Sequence, residues 1–149
     1  MKILVAVDGS ASSQAAVASV AERPWPTGSE IKMLAVAELH IVPTTEFGML
    51  PASYYEAEAE AANMLAQAAV KAAMEVVQQH KTTGLNVTTV TKTGFAKSVI
   101  LDEAEKWGAD LIVLGSHGYK GLQRFFLGSV SQAVATHAPC SVEIVRMKK

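Results

Sequence analysis

The sequence carries one cysteine, Cys140, in 149 residues. A lone thiol closes no internal disulfide and supplies no cysteine-based structural zinc site, so a reducing compartment is expected. Long apolar runs are also missing. Half of the residues are hydrophobic, yet Glu, Lys, Gly or Pro breaks every run well short of the roughly 18 residues that a membrane-spanning helix needs. Charge of one sign is absent too, with 13 basic residues against 14 acidic ones. Bulk attraction to nucleic acid or to an acidic membrane is therefore not expected. The opening MKILVAVDGS reaches Asp8 after a few apolar residues, too few for a secretory core of about 7 to 15, which makes the cytoplasm the expected location. Finally, the common nucleotide fingerprints are lacking. Neither Gly-x4-Gly-Lys-Ser/Thr nor Gly-x-Gly-x-x-Gly occurs anywhere.

What is present is an alternation. Lys2 to Val7 is short, apolar and β-branched, the composition of a strand buried on both faces. Asp8-Gly9-Ser10 turns the chain, and Ser10 is placed to cap an alanine-rich helix running to about Ala21. Arg23 to Gly28, with two prolines, forms a loop before a second strand from Ile31 to Leu39. His40 to Ala52 shows neither period and reads as an irregular excursion. Ser53-x-x-Glu56 has the form of a capping box ahead of a long helix whose apolar stripe is Ala57, Ala61, Leu65, Ala68, Ala72 and Val76. Met64 and Met74 are expected to fill core space on that helix. Gly84 closes the helix region, and Leu85 to Thr91 reads as a third strand. A helix from Ala96 to Trp107, stopped by Gly108, precedes a fourth strand ending at Gly115. A last helix from about Ser129 to His137 and a strand from Ser141 to Arg146 complete the chain. Strands alternating with helices predict a single α/β domain, residues 1–149, with a parallel sheet and helices on both faces. In such sheets ligands bind beyond the carboxyl ends of the strands, where the strand order reverses.

The segment after the fourth strand, GSHGYKGLQRFFLGSVS, has glycines at 115, 118, 121 and 128 and hydroxyl residues at the start of a helix. Glycines permit positive φ and close approach of backbone to ligand, and a helix start offers unpaired amides and a positive dipole end. Together they describe an anion cradle, with the Ser129 and Ser131 hydroxyls as further donors and Lys120 or Arg124 to balance charge. The alternative at this level is a merely glycine-rich loop. Basic residues are in excess from Leu111 onward, where Lys120, Arg124, Arg146, Lys148 and Lys149 face one acid, Glu143.

Gly115-x2-Gly118-x9-Gly128-Ser129 resembles the ATP-binding signature of the universal stress protein family. ILVAVDGSASSQAA, GADLIVLGSHG and LGSVSQAVATHAPCSVEIVR are similar to family stretches as well, so the likeness spans the chain. This resemblance implies a five-stranded parallel sheet in the order 3-2-1-4-5, a Rossmann-like fold of the adenine nucleotide alpha hydrolase type. It implies an adenine nucleotide (ATP, ADP or AMP) at the switch point. Asp8 and the backbone near Ala6 would approach ribose and adenine, with Val36 beside the adenine. Gly115, His117 and Gly118 would line the ribose and early phosphates, and Gly128, Ser129, Val130 and Ser131 would hold the later ones, with Arg124 as a counter-charge. A divalent cation, Mg²⁺ or Mn²⁺, would be held mainly by phosphate oxygens. Ala96 stands where many relatives have proline, a departure expected to matter little to the ligand.

The functional expectation is an ATP-binding regulatory or stress-response protein, not an enzyme, dimeric through the edge strand 141–146. Asp8 is the one well-placed acid, and His117 has no nucleophile with an orienting partner, so binding is favoured over phosphoryl transfer. A slow ATPase or nucleotidyl-transfer enzyme, and a nucleotide-free interaction module, are the alternatives. The alternative role for Asp8 is that of a turn cap alone; His40, His80 and His137 read as surface or helix-end residues, and Cys140 as an inert thiol. Phe125 and Phe126 would pack the loop onto the domain or a partner, or form a flap.

Overall fold

The computed structural model describes residues 1–38, 51–80, 85–118 and 127–147. Nine elements alternate along the chain: β1 (Lys2–Val7), α1 (Ala11–Ala21), β2 (Glu30–Ala37), α2 (Ala52–Gln79), β3 (Asn86–Thr93), α3 (Ala96–Trp107), β4 (Leu111–Gly115), α4 (Ser129–His137) and β5 (Ser141–Val145). The five strands form one parallel sheet in the order β3-β2-β1-β4-β5, as the resemblance implied. Chain order reverses direction between β1 and β4, which pair from Ile3 with Leu111 to Ala6 with Leu114.

The apolar run of β1 is used on both faces because successive side chains of a strand point opposite ways. Ile3, Val5 and Val7 join α1 and α2 residues such as Val17, Val20, Ala69 and Ala73 in one core. Leu4, with Leu34, Ile112 and Leu114, joins Ile100 and Ala104 of α3 and Val134 of α4 in a second. The helices therefore lie on both faces, α1 and α2 on one and α3 and α4 on the other.

Local signals explain most of the boundaries. Ser10 is the N-cap of α1, its hydroxyl accepting from the Ser13 amide. Gly108 ends α3 in the left-handed region at φ 69°, where a side chain would be strained. Trp25 folds the 23–29 loop back by donating its indole N–H to the Val20 carbonyl at 2.8 Å. Arg23, paired with Glu143, ties the same loop to β5. Strand ends move slightly: β2 stops at Ala37, β3 extends to Thr93, β4 starts at Leu111 and β5 stops at Val145.

Helix α2 departs from expectation in two ways. Its N-cap is Pro51, with no side-chain cap bond, so Ser53 and Glu56 form no capping box. Its buried stripe is Ala66, Ala69, Ala73 and Val77, one residue on from the expected one. Leu65 and Met64 are exposed, at 71% and 65%, and Met64 is not core filler; Met74 does pack against the first core. Alanines occupy so many positions of this helix that two adjacent stripes are nearly equally apolar, and the sheet chooses between them. His40, Gly84, Lys120, Gly121, Arg124, Phe125, Phe126, Lys148, Lys149 and most of the 40–52 excursion lie outside the described residues.

Candidate functional site

The carboxyl ends of β1, β2 and β4 and the first turns of α3 and α4 enclose a cleft of about 400 Å³. That falls at the lower end of the size range of small-molecule sites, roughly 300 to 1,000 Å³. Ala6, Asp8, Val36, Gly115, His117, Gly118, Gly128, Ser129, Val130 and Ser131 all line it. Thus every described residue that the sequence nominated is brought to one cavity; Lys120 and Arg124, the expected counter-charges, fall outside the described residues.

The first wall is built by the β1–α1 turn. Asp8 Oδ1 accepts from the Ser10 amide at 2.9 Å, an Asx turn that fixes the carboxylate at the strand end. The Asp8 amide donates to Ser13 Oγ at 3.2 Å, and Ser10 Oγ donates to the His117 carbonyl at 3.4 Å. The two strand ends are thereby joined across the switch point. Asp8 caps a turn and also lines the cleft, so the two readings of that residue are compatible.

The second wall is β4 and its continuation. The Ser116 amide donates to the Val145 carbonyl at 2.9 Å, and the Gly128 amide to the Ser116 carbonyl at 2.9 Å. Ser131 Oγ donates to the Gly115 carbonyl at 2.8 Å. That hydroxyl proton holds α4 against β4, so Ser131 offers a ligand its amide. Gly128 is the N-cap of α4 and has no side chain to cap it. Among the described residues the first amides of the helix have neither an intrahelical acceptor nor a side-chain cap, and Ser129, Val130 and Ser131 line the cleft.

The glycines serve proximity, not unusual backbone angles. Gly115, Gly118 and Gly128 are absent from the positive-φ glycines of the described chain, which are Gly9, Gly28, Gly94 and Gly108. A Cβ on Gly115 would stand 2.6 Å from the Ser12 carbonyl carbon, so this glycine lets α1 pack against β4. A Cβ on Gly118 would stand 2.9 Å from Asp8 Oδ2, inside the site itself. On Gly128 it would meet the His117 Cα and the Ser116 carbonyl at 3.4 Å.

Glu38, Ser13, Val7, Ala96, Ile100 and Leu114 also line the cleft and were not singled out for it. The signal for Glu38 was its place at the end of β2, the same station that Asp8 occupies on β1. Ala96, expected to matter little, donates its amide to Glu38 Oε1 at 3.2 Å. The cleft is therefore apolar at its α3 side, rimmed by two carboxylates, and lined at its α4 side by the helix start, whose amides have no side-chain cap among the described residues. Among the described residues no three His, Cys, Asp or Glu side chains group as a metal site.

Other candidates keep structural roles. Ser116 Oγ lies 3.0 Å from His117 Nδ1, but Ser116 is only 3% exposed and so is withheld from a substrate. His80 and His137 bond the carbonyls of Val76 and Ala133 at the ends of their helices. Burial, with a smaller push from Asp110, raises the Cys140 thiol above its ordinary range, and a bond from the Ile112 backbone offsets part of that. Such a shift disfavours the reactive thiolate form.

An open parallel sheet with its cleft at the strand-order reversal defines an α/β ligand-binding class. The family model "Universal stress protein family" matches residues 1–146, and the chain belongs to that family. Universal stress protein YxiE of Bacillus subtilis (strain 168) is 30% identical over 148 residues, 97% of this chain and 98% of that one. Universal stress protein A homolog 2 of Coxiella burnetii is 43% identical over 89 residues, 58% of this chain. That match spans 57% of the relative, so the chain aligns with little more than half of its length. Among solved structures, universal stress protein UspA from Lactobacillus plantarum superposes with a TM-score of 0.75 at 30% identity, covering 98% of this chain and 97% of that one. Two more distant folds were solved with nucleotides. The Arabidopsis thaliana family protein At3g01520, with AMP bound, gives TM-score 0.65 at 21% identity over 99% of this chain and 92% of that one. The Archaeoglobus fulgidus universal stress protein, in complex with dAMP, gives 0.66 at 20% over 97% of each chain.

Proposed function

We propose that this chain is a nucleotide-binding regulatory protein that holds ATP across the carboxyl ends of β1 and β4. The observation that carries the reading is the start of α4. Among the described residues no side chain caps the helix at Gly128, and its first residues, Ser129 to Ser131, line a cleft that also contains Asp8 and Gly118. Such amides and the helix dipole attract a phosphate without needing a particular side chain. The apolar lining from Val36, Ile100 and Val130 suits a purine ring, and Asp8 suits the ribose hydroxyls as an acceptor. Solved relatives that carry AMP or dAMP support the same class of ligand.

The described lining contains no Lys or Arg. Phosphate charge would therefore be met by amides and by a divalent cation held mainly on the phosphates' own oxygens; Asp8, whose Oδ2 lies beside Gly118, is the carboxylate placed to assist. Ser116 is buried against His117, so no exposed nucleophile is paired with a base among the described residues. That favours holding the nucleotide over rapid turnover. Among the described residues the outer edge of β5 has no partner strand, and a second copy pairing there would cover it. A dimer through residues 141–145 is part of the same proposal.

The test is titration calorimetry with ATP and Mg²⁺, together with mass spectrometry of ligand released from the purified protein. Saturable binding at one site per chain, with adenine nucleotide recovered, is the expected result. A flat titration and a flat thermal shift would favour an interaction module without nucleotide. Steady ADP release at about one turnover per second, within the ordinary enzymatic range, and lost on Asp8→Ala, would replace the regulatory reading with an enzyme.

A further inference from the structure

The cleft has two chemically different ends, and the sheet sets their separation. α4 follows β4, whereas Glu38 follows β2, and β1 lies between those strands. Two strand spacings amount to about 10 Å, far enough to keep a carboxylate away from phosphates gathered on the α4 amides. Val36 of β2, which Glu38 follows, and Ala96 and Ile100 of α3, whose first amide Glu38 binds, give that end of the cleft an apolar lining. An anionic tail is disfavoured there, and a flat ring with a hydrogen-bond donor on its rim is favoured.

Glu38 is held in one orientation. Its Oε1 accepts the Ala96 amide at 3.2 Å, while among the described residues Oε2 has no hydrogen-bond partner. Glu38 is half-buried and belongs to the cleft lining. An ionised carboxylate only accepts, so Oε2 presents one acceptor to whatever ring lies there. Resting on the adenine-nucleotide reading above, we propose that Glu38 is the base-selecting residue. Its Oε2 accepts from the exocyclic amino group of adenine and disfavours purines with a carbonyl at that position. Guanine offers an adjacent ring N–H and amino group, a pair suited to two carboxylate oxygens; Ala96 already engages one of them.

The role of Ala96 makes the proposal sharp. In Glu38→Gln the amide oxygen must face the Ala96 N–H, which turns the NH₂ group towards the base. Acceptor becomes donor, and the preference should reverse. Ala96→Pro removes the N–H that imposes this orientation and frees the glutamine to turn back. Proline is suited to Ala96, which is the first residue of α3.

The experiment measures Kd for three ligands on the full chain: ATP, purine riboside triphosphate, in which hydrogen replaces the amino group, and inosine triphosphate, in which a carbonyl replaces it. Thermal unfolding verifies that each variant is folded. Wild type is expected to bind ATP at least about tenfold more tightly than either analogue, since a site that accepts from a ligand N–H is left unpaired without it. Glu38→Gln should abolish the preference of ATP over purine riboside triphosphate and raise inosine triphosphate above ATP. Adding Ala96→Pro should return part of the ATP preference. Equal wild-type affinities for ATP and purine riboside triphosphate overturn the proposal but leave nucleotide binding standing. So does a Glu38→Gln variant weakened equally towards all three, which would mean that Glu38 only caps α3. Tighter wild-type binding of inosine triphosphate than ATP would place a ring N–H against Oε2 and also overturn it. If no ligand binds wild type, the reading of the cleft falls together with the selection rule.

Discussion

The two faces of the sheet are covered differently. Against α1 and α2, Ile3, Val5, Ile31, Met33 and Val113 are sealed by small alanines and valines, all within a few percent of complete burial. Against α3 and α4 the apolar core is smaller, an ion cluster replaces part of it, and the cleft enters from the strand ends. One face holds the fold, while the other gives up packing to leave room for a ligand. The largest expected effects test that division. Ile31→Ala should cost about 2–5 kcal/mol, the usual range for emptying a sealed core position. Urea unfolding would measure it, and the folded fraction should keep its ATP affinity. Ile100→Ala, also buried but lining the cleft, should lose stability and weaken ATP about tenfold, the loss expected when a ring's apolar support is trimmed. Equal affinity losses in both variants would erase the distinction between the faces.

Gly115 and Gly118 carry the comparison into the site. Gly115→Ala drives a Cβ into the Ser12 backbone at 2.6 Å, and neither strand nor helix yields easily. A cost of about 1–3 kcal/mol is expected from overpacking. Gly118→Val meets only the tip of Asp8, at 2.9 Å. Unfolding should shift by less than about 0.5 kcal/mol, as for other exposed substitutions, while ATP binding is abolished. Unchanged affinity in Gly118→Val would refute the cradle.

Sequence pattern made the strands, the end of α3 at Gly108 and the spacing of Gly115, Gly118 and Gly128 visible, because each is a local consequence of β-branched composition or of a missing side chain. It misplaced the stripe of α2, where alanine at 57, 59, 61, 62, 66, 68, 69, 72 and 73 gives little contrast between neighbouring faces. Positive φ was the wrong reason for the site glycines; their closest neighbours, Ser12, Asp8 and His117, come from distant or folded-back segments that a linear pattern does not juxtapose. Glu38 was hidden for the same reason, since its partner Ala96 is separated from it by all of α2 and β3.

The ion cluster of the open face is not part of the cleft lining. Glu103 on α3 receives Lys32 of β2 at 2.8 Å and Lys92 of β3, and the Lys32 ammonium lies 4.3 Å from the centre of the Trp107 ring. Burial pushes the Glu103 carboxyl up, but hydrogen bonds and charge from Lys32 and Lys92 outweigh it, leaving the group below its ordinary value of 4.5. Its stabilising contribution is thus present above the unfolded value and lost as pH falls through the lower folded value. Glu103→Gln should cost about 1–3 kcal/mol near pH 7, because two ammonium groups lose their shared acceptor. The difference from wild type should shrink as unfolding is repeated from pH 6 to pH 3. A constant difference over that range would show that the carboxylate charge contributes nothing.

A small effect on stability is also expected at Ala96, where the effect on ligand choice is large. Ala96 is the first residue of α3, and Phe95 before it sits at φ −78° and ψ 120°, a conformation that tolerates a following proline. Ala96→Pro gains about 0.4–1 kcal/mol by restricting the unfolded chain. It loses one partly exposed hydrogen bond to Glu38, worth about 0.5–1.5 kcal/mol. The terms oppose each other, so calorimetric melting should move by no more than about 4 °C for a chain of this size. A larger drop would show that the Glu38 contact holds the first turn of α3 in place, and would make the open face more dependent on its cleft than on its core.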